Sequence, residues 1–393
     1  MGKFEMPVME EKTMGDLEEG LLLHGTWGPQ LETAIPAERK ARRAVYYKIM
    51  FYSALLVLVC YHQLAYARPA ATTTQVTGLP QYVLDYAPIV YLDTAEAYFP
   101  ADMNAQIANT HPTVNLTSIP NPPSPLSVHN LDTLNTFGNN GLNVFLTSNL
   151  DVTKTPNWLL GVVPDSTGKT SNASSCAIIT TDHGNGLVDA FYMYFYAYNQ
   201  GNTVLSHELG DHIGDWEHNM VRFQDGKPQA VWYSQHGNGE AFTYAAVEKN
   251  GIRPVSYSAK GSHGNYAIVG KHDHTIPDLN LPEGLIVDYT SKGMKWDPTL
   301  NAYFYTFDPS STKFTGLNNS PVGAMAYKGK WGDDQYLDSD PRQPGSFFGF
   351  KKFVAGPTGP GDKQLNRKRE VLKIAFSVLS WKRWEEWKVG ADV

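Results

Sequence analysis

"GDHIGDWEHNMVRF", residues 210–223, packs Asp211, Asp215, Glu217, His212 and His218 around Trp216 and then runs into an apolar stretch. Read as a strand, Trp216–Phe223 alternates: Glu217, Asn219, Val221 and Phe223 share one face, with Asp215 aligned just before them. Trp216, His218, Met220 and Arg222 take the other face. The Cα atoms of Asp215 and Glu217 are then about 6–7 Å apart. Two carboxylates that close repel unless a divalent cation, an arginine or a shared proton lies between them. A plain network of backbone hydrogen bonds and ion pairs to Arg222 or Arg253 satisfies the same pattern. His212 stands three residues before Asp215, and Gly210 and Gly214 let the loop curl back. A His–Asp–Glu set of this kind suits a hard divalent ion, Mg²⁺ or Ca²⁺, better than zinc, which takes several His or Cys ligands.

Outward from that stretch, strand-like runs recur with Gly, Pro, Asn or Asp between them: "LVDAFYMYFYAYNQG" (187–201), "QAVWYSQH", "AFTYAAVEKNG", "RPVSYSA", "LIVDYT" and "AYFYTFD". Many short strands with turn signals and few long amphipathic helices predict a mainly β protein, a β-sandwich or jelly roll with long loops, over residues 82–365. Residues 82–100 read as a strand and a turn, 101–140 as loop, and 331–362 as a loop-rich wrap. His236 in "SQHGNG" and His263 in "GSHGNY" sit in glycine turns. If those turns lie at the Gly210 end of the sandwich, both histidines and Asp211 rim one cleft. "KHDHTIPD" (Lys271–Asp278) carries a His–x–His pair, a weaker metal signal.

The chain has 393 residues and a formal charge of −7. That balance excludes a nucleic-acid binder, which needs a basic face. Two cysteines, Cys60 and Cys176, provide no disulfide framework, so Cys176 reads as a small buried apolar residue. No P-loop, nucleophile elbow, dinucleotide-binding glycine fingerprint or paired CxxC occurs.

Residues 1–67 form a leader. Arg39, Lys40, Arg42, Arg43 and Lys48 precede the apolar run Ile49–Tyr61, and Ala65-Tyr66-Ala67 fits a small-x-small cleavage site. The run is shorter than the ~20 residues that span a bilayer, so it reads as a cleaved signal, with a signal anchor as the alternative and Met50 as an alternative start. Either delivers the rest of the chain, after a 68–81 linker, to the secretory pathway: vacuole lumen, endomembrane or outside the cell. Three Asn-x-Ser/Thr sequons, at Asn115, Asn172 and Asn318, agree with that. In residues 366–393, Leu372, Ala375, Phe376, Leu379 and Trp387 fit one face of a C-terminal helix. That helix either docks on the domain or, through its tryptophans, touches a membrane.

The motifs "GDHIGDWEHNMVRF", "WYSQHGNGEAFTYAAVEKNGIRPVSYSAKGSHGNYAIVG" (232–270), "LIVDYTSKGMKWDP" (285–298) and "GPTGPGDKQLNRKRE" (356–370) together resemble the fungal vacuolar protein sorting-associated protein 62 family across roughly residues 84–370. That resemblance implies a part in protein delivery to the vacuole and no particular chemistry. Residues 211–217 also bear a distant resemblance to the necrosis- and ethylene-inducing-protein-like cytolysins, whose hallmark is Gly-His-Arg-His-Asp-Trp-Glu. The resemblance implies a divalent-cation site at His212, Asp215 and Glu217, with His236 matching the histidine of a later glycine turn. Asp211, Ile213 and Gly214 depart from the hallmark, and the toxins' disulfide has no counterpart.

Three functions compete on this reading. The first is a non-enzymatic binding protein of vacuolar sorting that holds a divalent cation and, through it, a glycan or lipid headgroup. The second is a metal-dependent hydrolase with His236 or His263 as general base. The third is a secreted cytolysin-like effector on membrane glycolipid.

Overall fold

The computed structural model describes residues 75–273 and 286–367. The signal segment, the second histidine of "KHDHTIPD" and nearly all of the Trp-rich tail lie outside the described residues. The chain divides into two compact units, Met1–Thr72 and Thr73–Val393; the described residues all belong to the second.

A seven-stranded sheet forms its centre. The strands run in the order Asn238–Thr243, Lys227–Gln235, His212–Gln224, Leu187–Asn199, Cys176–Asp182, Ala302–Asp308 and Lys313–Leu317. Every pair is antiparallel except 302–308 beside 176–182. The two longest strands lie together at the middle, with Tyr196 opposite Asp215, Tyr194 opposite Glu217 and Phe191 opposite Met220. A smaller sheet packs on one face. It is built from Lys249–Asn250, Arg253–Ser258, Ile89–Leu92 and Lys295–Trp296, with Asn265–Tyr266 paired to the side of 253–258. The protein is therefore mainly β, a sandwich of two sheets, as the sequence predicts.

The alternation read from the sequence holds along the 212–224 strand. Val221 and Phe223 join Tyr192, Tyr194, Tyr196, Tyr233, Val90 and Trp296 in the core between the two sheets. Trp216 and Met220 enter the second core, on the opposite face, with Phe191, Phe195 and Trp331. That second face is covered by loops, short helices and a small three-stranded sheet of Thr117–Ser118, Thr110–Val114 and Phe145–Ser148. These belong to segments 101–165 and 324–365, which pack on it through Met103, Leu131, Leu146, Tyr336 and Phe353, so the 331–362 wrap is observed. Cys176 is fully buried between the sheets, and burial pushes its thiol up.

Three local expectations need correction. Residues 82–100 do hold a strand, Ile89–Leu92, and a turn after it, but they open in a short helix, Gln81–Asp85, that the reading as strand and turn lacked. Pro88 supplies no N–H and disfavours helix at the residue before it, so the chain changes state there. Residues 101–140 are not all loop: Asp102 accepts from the Ala105 N–H at 2.9 Å and caps the helix Met103–Ala108, which leads into the strand Thr110–Val114. The end of the stretch read as linker is core, since Val76 and Leu79 are buried between the sheets.

Candidate functional site

The 212–224 strand carries Asp215 and Glu217 side by side toward the smaller sheet, where both are buried. Two glycine turns close over them. His236 and His263 each adopt a left-handed backbone, with φ of 55° and 58°. Histidine tolerates that conformation better than bulky residues do, and the flanking glycines let the chain turn sharply there. His263 stacks face to face on Tyr196 at 3.7 Å. Its Nδ1 meets Asp215 Oδ2 at 2.9 Å and its Nε2 meets the Tyr98 carbonyl at 3.0 Å. Glu96 Oε1 is 3.8 Å away. Burial works against a charged ring, yet Glu96 and Asp215 together lift His263 to about 10, so both of its nitrogens donate at neutral pH.

His236 repeats the arrangement. Its Nε2 lies 2.8 Å from Asp288 Oδ2, and Asp288 also accepts from Ser262 Oγ at 2.7 Å and Tyr266 OH at 2.8 Å. Burial again opposes the charge, and Asp288 outweighs it, raising His236 to about 9. Glu217 sits between these two pairs. Ser234 Oγ donates to its Oε2 at 2.6 Å. Burial first, then the charge of Asp215, push its carboxyl up to about 8, although Lys363, Ser234 and His236 pull the other way. Asp215 itself is held below the ordinary carboxylate range: burial raises it, but the His263 hydrogen bond and the charges of His212 and His263 prevail.

His212 stands at the mouth of the same strand. Its Nδ1 bonds the Gly214 carbonyl at 2.7 Å, and among the described residues its Nε2 has no hydrogen-bond partner. Gly214 has φ of +67°, and a Cβ there would lie 2.4 Å from the Trp331 carbonyl oxygen. That contact excludes any side chain at the place of the toxin hallmark's second histidine. Asp211 is drawn elsewhere. It accepts from Tyr198 OH at 2.7 Å and the Gly201 N–H at 2.9 Å, and it pairs with Lys352 at 3.0 Å. Lys352 also pairs with Glu208.

The structure thus gathers Asp215, Glu217, His236 and His263 into one cluster, keeps His212 at its edge and leaves Asp211 in a separate ion pair. Glu96, Asp288, Ser234, Ser262 and Lys363 complete the cluster and were not singled out from the sequence. Imidazolium rings supply the positive charge, His263 between Asp215 and Glu96 and His236 on Asp288, while Glu217 is eased by holding its proton. Among the described residues, no three His, Cys, Asp or Glu side chains are grouped as a ready metal site. The two candidate general bases are both committed to carboxylates and charged at neutral pH, so neither is free to take a proton from water. His272 of the His–x–His pair stacks on Tyr266 at 3.7 Å and bonds Thr290 Oγ1. Asn115, Asn172 and Asn318 are all exposed, each at a left-handed turn position. Among the described residues, no helix is long and apolar enough to cross a membrane.

A family model described as vacuolar protein sorting-associated protein 62 matches residues 167–278, the span holding most of this cluster. Two curated proteins of Saccharomyces cerevisiae are similar over most of the chain. The putative vacuolar protein sorting-associated protein TDA6 is 36% identical over 338 residues, which cover 78% of this chain and 70% of the relative. Vacuolar protein sorting-associated protein 62 is 35% identical over 345 residues, 79% and 70% of the two chains. Two solved structures also match. The necrosis and ethylene inducing protein 2 from the causal agent of cocoa's witches' broom disease is 15% identical with a TM-score of 0.26, covering 50% of this chain and 71% of its own. The non-toxic HaNLP3 protein is 13% identical with a TM-score of 0.26, covering 65% and 84%. Overlays this loose carry no argument about activity. The sequence relationship to the yeast proteins is of another order, and by it the chain belongs to the vacuolar protein sorting-associated protein 62 family.

Proposed function

We propose that this chain serves protein delivery to the vacuole, the process its yeast relatives are named for, as a luminal or endomembrane protein that binds a partner and does not transform it. Its ligand is a divalent cation, Mg²⁺ or Ca²⁺, taken up at His212, Asp215 and Glu217. Through the ion, the cleft holds a hydroxyl- or phosphate-bearing group of a glycan or lipid headgroup.

The observation that carries the reading is His212. Its Nδ1 is fixed on the Gly214 carbonyl, the outer contact that orients metal-bound imidazoles, and its Nε2 is the nitrogen left over. Asp215 Oδ2 and Glu217 Oε2 are bonded to His263 and Ser234; the second oxygen of each carboxylate supplies the hard donors. The donor chemistry fits the ion, while the spacing does not present a finished cage, so the ion's arrival has to draw the three side chains together. A metal-bound carboxylate must be ionised, so binding would release the proton that Glu217 holds.

The test is elemental analysis of purified protein together with melting curves. Melting temperature is expected to fall with a chelator and recover with excess Ca²⁺ or Mg²⁺, the ion adding about 2.7 kcal/mol of stability at a hundredfold excess over Kd. Asp215→Asn is expected to abolish that response. Metal-free protein that melts identically with and without chelator would instead leave the cluster as a hydrogen-bond network balanced by two imidazolium rings. Luminal delivery predicts that native protein shifts on endoglycosidase treatment, and that replacing Asn115, Asn172 and Asn318 by Gln removes the shift.

A further inference from the structure

The opposite face of the 212–224 strand gathers basic side chains. Arg222 is fully buried there. It makes a two-pronged pair with Asp189, Nε to Oδ1 and Nη2 to Oδ2, both at 2.6 Å. His183 Nε2 adds a third contact to the same carboxylate at 2.9 Å. Arg222 Nη2 also donates to the Arg367 carbonyl at 2.8 Å, which brings the end of the described chain onto this face. The Arg367 guanidinium lies 4.7 Å from the Trp232 ring centre and 5.2 Å from that of Phe191. Those two residues flank Met220 in the ladder, and His218 and Arg222 stand two positions either side of Met220 on the same face. Arg367 therefore caps a single patch of sheet.

Two guanidiniums share this patch and one carboxylate serves it. Among the described residues, Arg367 has no carboxylate partner. Its Nη2 bonds His218 Nε2 at 2.5 Å, so that nitrogen is the acceptor and the ring proton is on Nδ1. Burial and the neighbouring Arg367 keep the His218 ring uncharged. Four buried donor nitrogens, Arg222 Nη1, Arg367 Nη1, His218 Nδ1 and Trp232 Nε1, have no acceptor among the described residues. Buried donors are nearly always satisfied, and an uncompensated buried cation is costly. Orphaned N–H groups beside an excess positive charge define what is missing: an anion rich in acceptor lone pairs.

We propose that this patch binds a small oxyanion, a carboxylate or a phosphate, held by the Arg222 and Arg367 guanidiniums with His218 and Trp232 as neutral donors. Guanidinium forks match planar carboxylate and phosphate oxygens, and the aromatic rings either side of Arg367 fix its plane. The site faces away from the Asp215 cluster and does not depend on any cation bound there.

Full-length protein in metal-free buffer is titrated with sodium phosphate or acetate at constant ionic strength, with chloride as the control. The wild type is expected to gain several degrees in melting temperature, saturably, with either oxyanion and none with chloride. Arg367→Met keeps the stem's packing and removes the charge. It is expected to lose the response while melting, without oxyanion, no lower than the wild type, because an unpaired buried cation has gone. Trp232→Phe removes one donor and keeps the ring, and it is expected to weaken the apparent affinity roughly tenfold. A response to free phosphate identifies a soluble anion. Arg367-dependent binding to phosphatidic acid vesicles without that response places the same oxyanion on a headgroup. A wild type that neither responds to oxyanions more than to chloride nor binds those vesicles overturns the proposal, as does an Arg367→Met variant that responds like the wild type.

Discussion

One strand, 212–224, separates two buried charge clusters that are balanced in different ways. Toward the smaller sheet, Asp215, Glu217, Asp288 and Glu96 meet two imidazolium rings and a lysine. Toward the loop-covered face, Arg222 and Arg367 meet the single carboxylate of Asp189. Alternation along the strand puts them there: odd-numbered positions send acids one way, even-numbered positions send Arg222 and His218 the other. The difference teaches how each face balances its charge. Acids can take up protons, so the first cluster adjusts through Glu217 and its histidines. Arginine does not release its proton at any physiological pH, so the second cluster balances only through a fixed counter-charge.

Breaking the fixed side is expected to cost most. Arg222→Met leaves Asp189 buried with only His183 against it, and removing one member of a buried pair typically costs about 3–5 kcal/mol. Urea unfolding measures this. A loss below about 1 kcal/mol would mean that His183 suffices and that the two faces do not differ as described.

On the adjustable side, His263→Ala removes two hydrogen bonds and the stack on Tyr196, and leaves Asp215 and Glu96 without their shared cation. Hydrogen bonds to charged groups are worth about 1.5–3 kcal/mol each. The loss is expected to be about 3 kcal/mol at pH 7, because Glu96 has other donors and Asp215 can take up a proton. The same variant tests the pH profile. His263 and His236 titrate at about 10 and 9 when folded, against an ordinary histidine near 6.5. Above pH 6.5 the folded state holds protons that the unfolded chain has lost, so stability falls as pH rises from about 6.5 to about 9–10. Asp215, Asp288 and Glu96 are held low, and their contribution disappears as pH drops below the ordinary carboxylate range. Wild-type stability is thus expected to peak in mildly acidic solution, and His263→Ala is expected to flatten the alkaline side.

The sequence made some of this visible and hid the rest. The strand, its two faces and the pairing of Asp215 with Glu217 follow from a period of two, a local property. The glycine turns around His236 and His263 likewise marked chain reversals at the cluster. The partners are another matter. Glu96, Asp288 and Lys363 reach the cluster from distant segments, and no periodicity links Asp288 to a histidine fifty-two positions away. Asp211 looked like part of the cleft because it adjoins His212, but the left-handed Gly214 breaks the alternation and Tyr198 and Lys352 claim the side chain. The positive patch was hidden for the same reason: Arg367 stands at the start of the 366–393 stretch read as a C-terminal helix, yet its guanidinium ends up against the Trp232 and Phe191 rings.

The smallest change in stability is expected from Glu217→Gln, and it sharpens the comparison furthest. With its carboxyl titrating at about 8, Glu217 is mostly uncharged at pH 7, and glutamine closely matches a protonated glutamate in shape. The variant should therefore lie within about 1 kcal/mol of the wild type at that pH, the usual range when a hydrogen-bonded group is replaced by one of similar shape. The pH dependence is where the two diverge. Between about 4.5 and 8 folded Glu217 keeps a proton that the unfolded chain gives up, so in chelator the wild type loses stability across that window, and Glu217→Gln removes that part of the loss. Saturating Ca²⁺ reverses the sign for the wild type, because the ion prefers the ionised carboxylate and gains affinity as pH rises. Melting curves of the two proteins at pH 5, 6, 7 and 8, each with chelator and with Ca²⁺, separate the cases. A wild type whose decline is unchanged by Ca²⁺ would show that protons alone balance this face. A decline equally steep in Glu217→Gln would show that Glu217 is not the group that adjusts.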